Sequence, residues 1–136
     1  MIGIDTNIIV RAFAADDRAQ SERAAQLLDS SEPGAIYVNV VVLVEFAWTM
    51  RRVFKWDEDW VRIALNQIVR HPALAIQHRD SVLEAISKSD QTAHNFADAL
   101  TGMLNREAGC ETTWTFDKDA AKERDFRLLP TSKLQA

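Results

Sequence analysis

Four carboxylates stand where they can act on a ligand: Asp5, Glu45, Asp98 and Asp117. Asp5 breaks an apolar run, Met1, Ile2 and Ile4, and is followed by Thr6 and Asn7 before Ile8, Ile9 and Val10 resume. The pattern predicts a strand covered on both faces, ending in an acid, with a helix starting directly after it. Asp117 repeats that junction after Thr112, Thr113, Trp114, Thr115 and Phe116. Alone, an Asp at a strand-to-helix junction is an ordinary helix cap. The repetition is not something capping requires. In open α/β sheets ligands bind outside the carboxyl ends of the strands, so two such acids on neighbouring parallel strands would face each other.

Glu45 is set in a helix that reads as apolar almost all round: eight of the nine residues from Val40 to Trp48 are apolar, with Val41 and Trp48 on either side of Glu45 at helical spacing. A buried carboxylate costs several kcal/mol unless neutralised, paired or bound to a cation. Arg51 and Arg52 are the candidate structural partners. Asp98 shares a helix side with Thr101 and Asn105, opposite Phe96, Leu100 and Leu104. Its structural alternative is a first-turn acid that complements the helix dipole, with Asn95 as the cap.

Two carboxylates about 4 Å apart repel by about 4 kcal/mol at an effective dielectric of about 20, so a cluster stays ionised only beside a cation. Oxygen ligands select a hard divalent ion, Mg²⁺ or Mn²⁺. Such an ion can activate water against a phosphodiester, which makes a metal-dependent nuclease the leading hypothesis. The charge balance agrees. The net charge of −4 comes from 20 acids against 16 bases, and the four acids singled out equal that surplus. A broad basic surface for nonspecific nucleic-acid binding is disfavoured.

The elements that must hold these acids alternate. Strands are predicted over 1–4, 35–38, 73–76, 112–116 and 126–129, and helices over 7–13, 19–30, 40–54, 56–70, 81–87, 95–108 and 118–123, with Pro33-Gly34, Pro72 and Gly109 as breaks. The alternation predicts an α/β fold with a parallel sheet wrapped in helices. At 136 residues the chain is one domain's worth, residues 1–136. A single Cys110 fits a reducing cytosol, and the strand at the start with no long apolar segment predicts a soluble cytoplasmic protein with no membrane partner.

The run Ile4-Asp5-Thr6-Asn7-Ile8-Ile9-Val10, Glu45 within its apolar helix, Asn95-Phe96-Ala97-Asp98-Ala99-Leu100 and Thr115-Phe116-Asp117 together resemble the PIN-domain family, and within it the VapC toxins of bacterial toxin-antitoxin pairs. The resemblance covers nearly the whole chain. It implies a PIN-like α/β fold, with a central parallel sheet of four to five strands flanked by helices. It also implies a Mg²⁺- or Mn²⁺-dependent endoribonuclease, with Asp5, Glu45, Asp98 and Asp117 as catalytic acids, Asp5, Asp98 and Asp117 as metal ligands, and Thr6, Asn7 and Thr115 in support. The implied partners are an RNA substrate, a second copy in a homodimer and a small VapB-type antitoxin. Many relatives carry an acid where this chain has Asn95, and a Ser or Thr where it has Asn39.

Phosphatase and phospho-receiver folds want paired acids near the first strand, which Asp5-Thr6-Asn7 does not supply. His71, His78 and His94 fall in no ligand spacing, which disfavours ribonuclease chemistry by paired imidazoles. Arg51 to Trp56, with Trp60 and Arg62, interleaves basic and aromatic residues as RNA binders do, but Phe54, Trp56 and Trp60 better suit packing between helices or under a partner protein. A non-catalytic binding module for protein or RNA remains the alternative, separable by metal-dependent cleavage.

Overall fold

A computed structural model describes residues 1–14, 16–91 and 95–131, so His94 lies outside the described residues. The chain forms two compact units, Met1–Arg79 and Asp80–Ala136.

In the first unit the order is β1 (Ile2–Gly3), α1 (Thr6–Phe13), α2 (Arg18–Ser30), β2 (Ile36–Val38), α3 (Val40–Arg52), α4 (Glu58–Arg70) and β3 (Leu74–Ile76). The three strands form a parallel sheet in the order β1-β2-β3, with Ile2 opposite Ile36 and Ile36 opposite Leu74. Parallel neighbours need crossovers, and the helices between the strands provide them. Ile36 and Val38 are fully buried in the central strand. Phe13 of α1 meets Phe46 of α3 edge to face, with ring centroids 5.6 Å apart.

Two sequence expectations need correcting here. The first strand is not covered on both faces: β1 is a two-residue edge strand, and Ile2 is 52% exposed. Helix α3 is not apolar all round in its packing either. It buries Val42, Leu43, Phe46 and Met50, while Val41, Glu45 and Trp48 form an exposed stripe. Apolar residues on both sides of a helix hide which side is buried, because the pattern has no polar face to mark the outside.

Helix α3 starts at a doubly satisfied end. Asn39 Oδ1 accepts from Val42 N at 3.0 Å, as expected of a cap, and Gln77 Oε1 accepts from Val40 N at 3.0 Å. It stops two residues before the expected Phe54. Trp56 N donates to Met50 O at 2.9 Å, and Lys55 takes the left-handed conformation at φ 59°. The chain thus turns into α4, whose buried stripe is Val61, Ala64, Leu65, Ile68 and Val69 rather than one that includes Trp60 and Ile63.

The second unit holds α5 (Arg79–Gln91) from Asp80 onward, α6 (Phe96–Glu107), β4 (Thr113–Thr115), a 3-10 turn (Ala120–Lys122) and β5 (Phe126–Leu128). Its strands pair in parallel, Thr113 opposite Phe126. The α/β class and the parallel pairing agree with expectation, while in place of one central sheet of four to five strands the described strands pair as a set of three and a set of two. Helix α5 runs past the expected Ser87. Lys88 in the extra turn pairs with the buried Asp125 at 2.9 Å, and Arg106 reaches the other oxygen of Asp125 at 3.3 Å and Glu84 at 3.0 Å. Helix α6 closes with Cys110 N on Asn105 O at 2.9 Å and Gly109 N on Arg106 O at 3.0 Å, Gly109 taking φ 96° as such a cap needs.

Candidate active site

Asp5 sits two residues beyond β1 and caps α1, its Oδ1 accepting from Ile8 N at a long 3.4 Å. Thr6, the first residue of α1, donates its hydroxyl to Glu45 Oε1 at 2.9 Å. That bond joins the strand-to-helix junction to the exposed side of α3. Among the described residues, Asp5 Oδ2 and Glu45 Oε2 have no hydrogen-bond partner. Glu45 is exposed rather than buried. Neither Arg51 nor Arg52 pairs with it. Arg51 donates instead to Trp56 O at 2.7 Å and lies 4.0 Å from Glu58.

These residues surround a cavity of about 400 Å³ lined by Asp5, Thr6, Asn7 and Glu45, among others. The expected acids Asp5 and Glu45 and the supporting Thr6 and Asn7 are thus brought together. Arg11, Asp16 and Thr49 line it too, and the sequence reading missed them. The signal was present: Arg11 lies one helical turn from Asn7, and Thr49 one turn from Glu45.

In the second unit, Asp98 is exposed in the first turn of α6, where its backbone N donates to Asn95 Oδ1 at 2.8 Å. Asn95 therefore retains a capping role where an acid would also serve. Asp117 is exposed beyond β4. Its Oδ1 accepts from Asp119 N at 2.9 Å and Ala120 N at 3.3 Å, and its own N donates to Thr115 Oγ1 at 3.0 Å. Thr115 thus braces the acid it precedes. Both acids fill their ordinary capping or dipole roles, and both side chains keep an oxygen without a protein partner among the described residues.

A model of the PIN domain matches residues 2–126. The chain belongs to the PIN-domain family. Comparison with curated proteins gave no match. Among solved structures this PIN-domain chain is similar to Mycobacterium tuberculosis VapC20, described as a sarcin-ricin loop cleaving toxin. The identity is 21% over 90% of this chain and 94% of that one, with a TM-score of 0.45.

The donor chemistry of the cavity fits a hard divalent ion. Mg²⁺ typically takes one or two carboxylates and completes its shell with water and substrate phosphate oxygens. Asp5 and Glu45 supply two carboxylates on one cavity, each with a free oxygen. Among the described residues no group of three or more His, Cys, Asp or Glu side chains is gathered closely enough to hold an ion by itself. Among the described residues, too, no helix is long and apolar enough to cross a membrane.

Proposed function

We propose that this PIN-domain protein is a Mg²⁺- or Mn²⁺-dependent endoribonuclease acting as the toxin of a VapBC-type pair. The observation that carries the reading is that Asp5 and Glu45 line one cavity, with Thr6 hydrogen-bonded to Glu45, in a chain of this family. Asp98 and Asp117 complete the proposed catalytic quartet, with Asp5, Asp98 and Asp117 as metal ligands. The family match runs unbroken from residue 2 to residue 126, across both compact units, which supports reading the chain as one PIN domain.

A divalent ion held by these carboxylates would activate water and offset the charge of the attacked phosphodiester. The protein's own part is orientation. The Thr6 hydroxyl fixes Glu45 through Oε1 and leaves Oε2 without a partner among the described residues, while the α1 cap fixes Asp5 through Oδ1. Thr115 does the same for Asp117 through the backbone.

The proposed regulator is a VapB-type antitoxin, and the proposed assembly a cytoplasmic homodimer. Trp60 and Ile63 are 60% and 47% exposed on α4, and Val53 is 59% exposed beside half-buried Phe54. Lys55, Trp56, Asp57 and Trp60 line a second cavity of about 370 Å³. An amphipathic helix of the antitoxin would cover Phe54, Trp56 and Trp60. Trp60→Ala should weaken antitoxin binding while leaving cleavage by the free protein intact.

The deciding experiment incubates partner-free protein with total RNA in Mg²⁺, Mn²⁺ or chelator. Cleavage that needs the metal and disappears in Asp5→Asn supports the reading. A folded wild-type protein that leaves all RNA intact under every condition would return it to the binding-module alternative.

A further inference from the structure

Arg11 is the cation of the acid-lined cavity. It lies on α1 one turn beyond Asn7, and its guanidinium is held by two bonds: Nη1 donates to Asp16 Oδ1 at 2.5 Å and Nε to Gln20 Oε1 at 2.7 Å. Asp16 precedes α2 and Gln20 lies in its first turn, so the start of one helix grips the side chain of another. Those two bonds use two of the five N–H donors of a guanidinium. Among the described residues the remaining three have no protein partner. The side chain is 28% exposed, so these donors are open to a ligand.

The arrangement is unusual in what it avoids. A guanidinium sharing a cavity with three carboxylates, Asp5, Asp16 and Glu45, is strongly drawn to pair with them. Among the described residues it is within ion-pair distance of Asp16 and of neither Asp5 nor Glu45. Asp16, itself on the cavity wall, and Gln20 thus hold one edge of the guanidinium apart from Asp5 and Glu45, and its three other donors stay unpaired among the described residues. Such a separation is useless for binding a cation alone, and it suits a ligand that presents an anion beside the group the acids act upon.

We propose that Arg11 holds a phosphate of the RNA strand in this cavity, with Asp16 and Gln20 as the positioning residues that aim it. The proposal rests on the nuclease reading above, and it extends that reading to the substrate side of the site. RNA offers a phosphate at every nucleotide, so a strand whose scissile phosphodiester lies at the acids presents another to Arg11. Contact with the backbone alone makes the interaction independent of base sequence.

The test is the cleavage of a labelled single-stranded oligoribonucleotide by wild type, Arg11→Ala and Arg11→Lys over a range of salt concentrations. Arg11→Ala should raise KM about tenfold with kcat within about twofold, the signature of lost ground-state binding. The plot of log kcat/KM against log salt should become shallower by about 0.7, the value for one phosphate contact on a single strand. Arg11→Lys should restore the salt slope and only part of the KM, since lysine keeps the charge but not the fork. Melting curves check that each variant is folded. An unchanged salt slope in folded Arg11→Ala overturns the proposal and leaves Arg11 as a brace between α1 and α2. A wild-type protein that cleaves no RNA overturns the nuclease reading and this inference with it, so the two failures are distinguishable.

Discussion

Thr6 donates a hydroxyl hydrogen bond to Glu45 Oε1, and its loss separates orientation from charge. Thr6→Val keeps shape and removes the donor. It should slow cleavage about tenfold, equivalent to about 1.4 kcal/mol, with little change in melting temperature. Glu45→Gln should behave differently: exposed substitutions away from special features shift stability by less than about 0.5 kcal/mol, while the lost carboxylate should abolish cleavage. A Glu45→Gln protein that still cleaves RNA would remove this residue from the quartet. Glu45 also shows where sequence reading fails. Its apolar neighbours implied burial, yet the helix turns Val41, Glu45 and Trp48 outward together. Asp5 and Asp117 were legible because each interrupts an apolar run at a junction. Arg11 could be placed near the site by its spacing one turn from Asn7, but the pattern of α1 carries no mark of what Asp16 and Gln20 do to it.

At the scale of elements, the breaks were the most readable features. Asn39, Pro72 and Gly109 act through the local backbone, so the helices starting or ending at them fell within a residue or two of expectation. The true length of α5 depended on Lys88 meeting Asp125, a contact 37 residues apart that no local pattern encodes. Asp125→Ala should therefore destabilise the protein by about 3 kcal/mol, measured by denaturant unfolding, because Lys88 and Arg106 both lose the buried carboxylate they are placed around. Gly102 was equally silent in the sequence. A Cβ there would come within 2.7 Å of Phe126 Cε2 and 3.1 Å of Asp125 Cβ, so α6 approaches β5 closely only because this residue has no side chain. Gly102→Ala gains helix propensity of about 1 kcal/mol but meets overpacking of about 1 to 3 kcal/mol. The expected net result is a lower melting temperature, and an unchanged or higher one would mean that the Phe126 ring swings aside freely.

For the whole molecule, the central claim is that a divalent cation belongs to the folded acidic site. The net charge of −4 equals the number of proposed acids, and ion binding would offset the charge that Asp5 and Glu45 bring to one cavity. The most direct measurement is the melting temperature of the partner-free protein during titration with Mn²⁺, repeated with chelator and with Asp5→Asn and Asp98→Asn. If Mn²⁺ binds only the folded state, about 100 times its dissociation constant adds about 2.7 kcal/mol, a rise of several degrees for a chain of this size. The account predicts that rise in wild type, its reversal by chelator and its loss in both variants. A wild-type melting temperature indifferent to Mn²⁺ and chelator would contradict it.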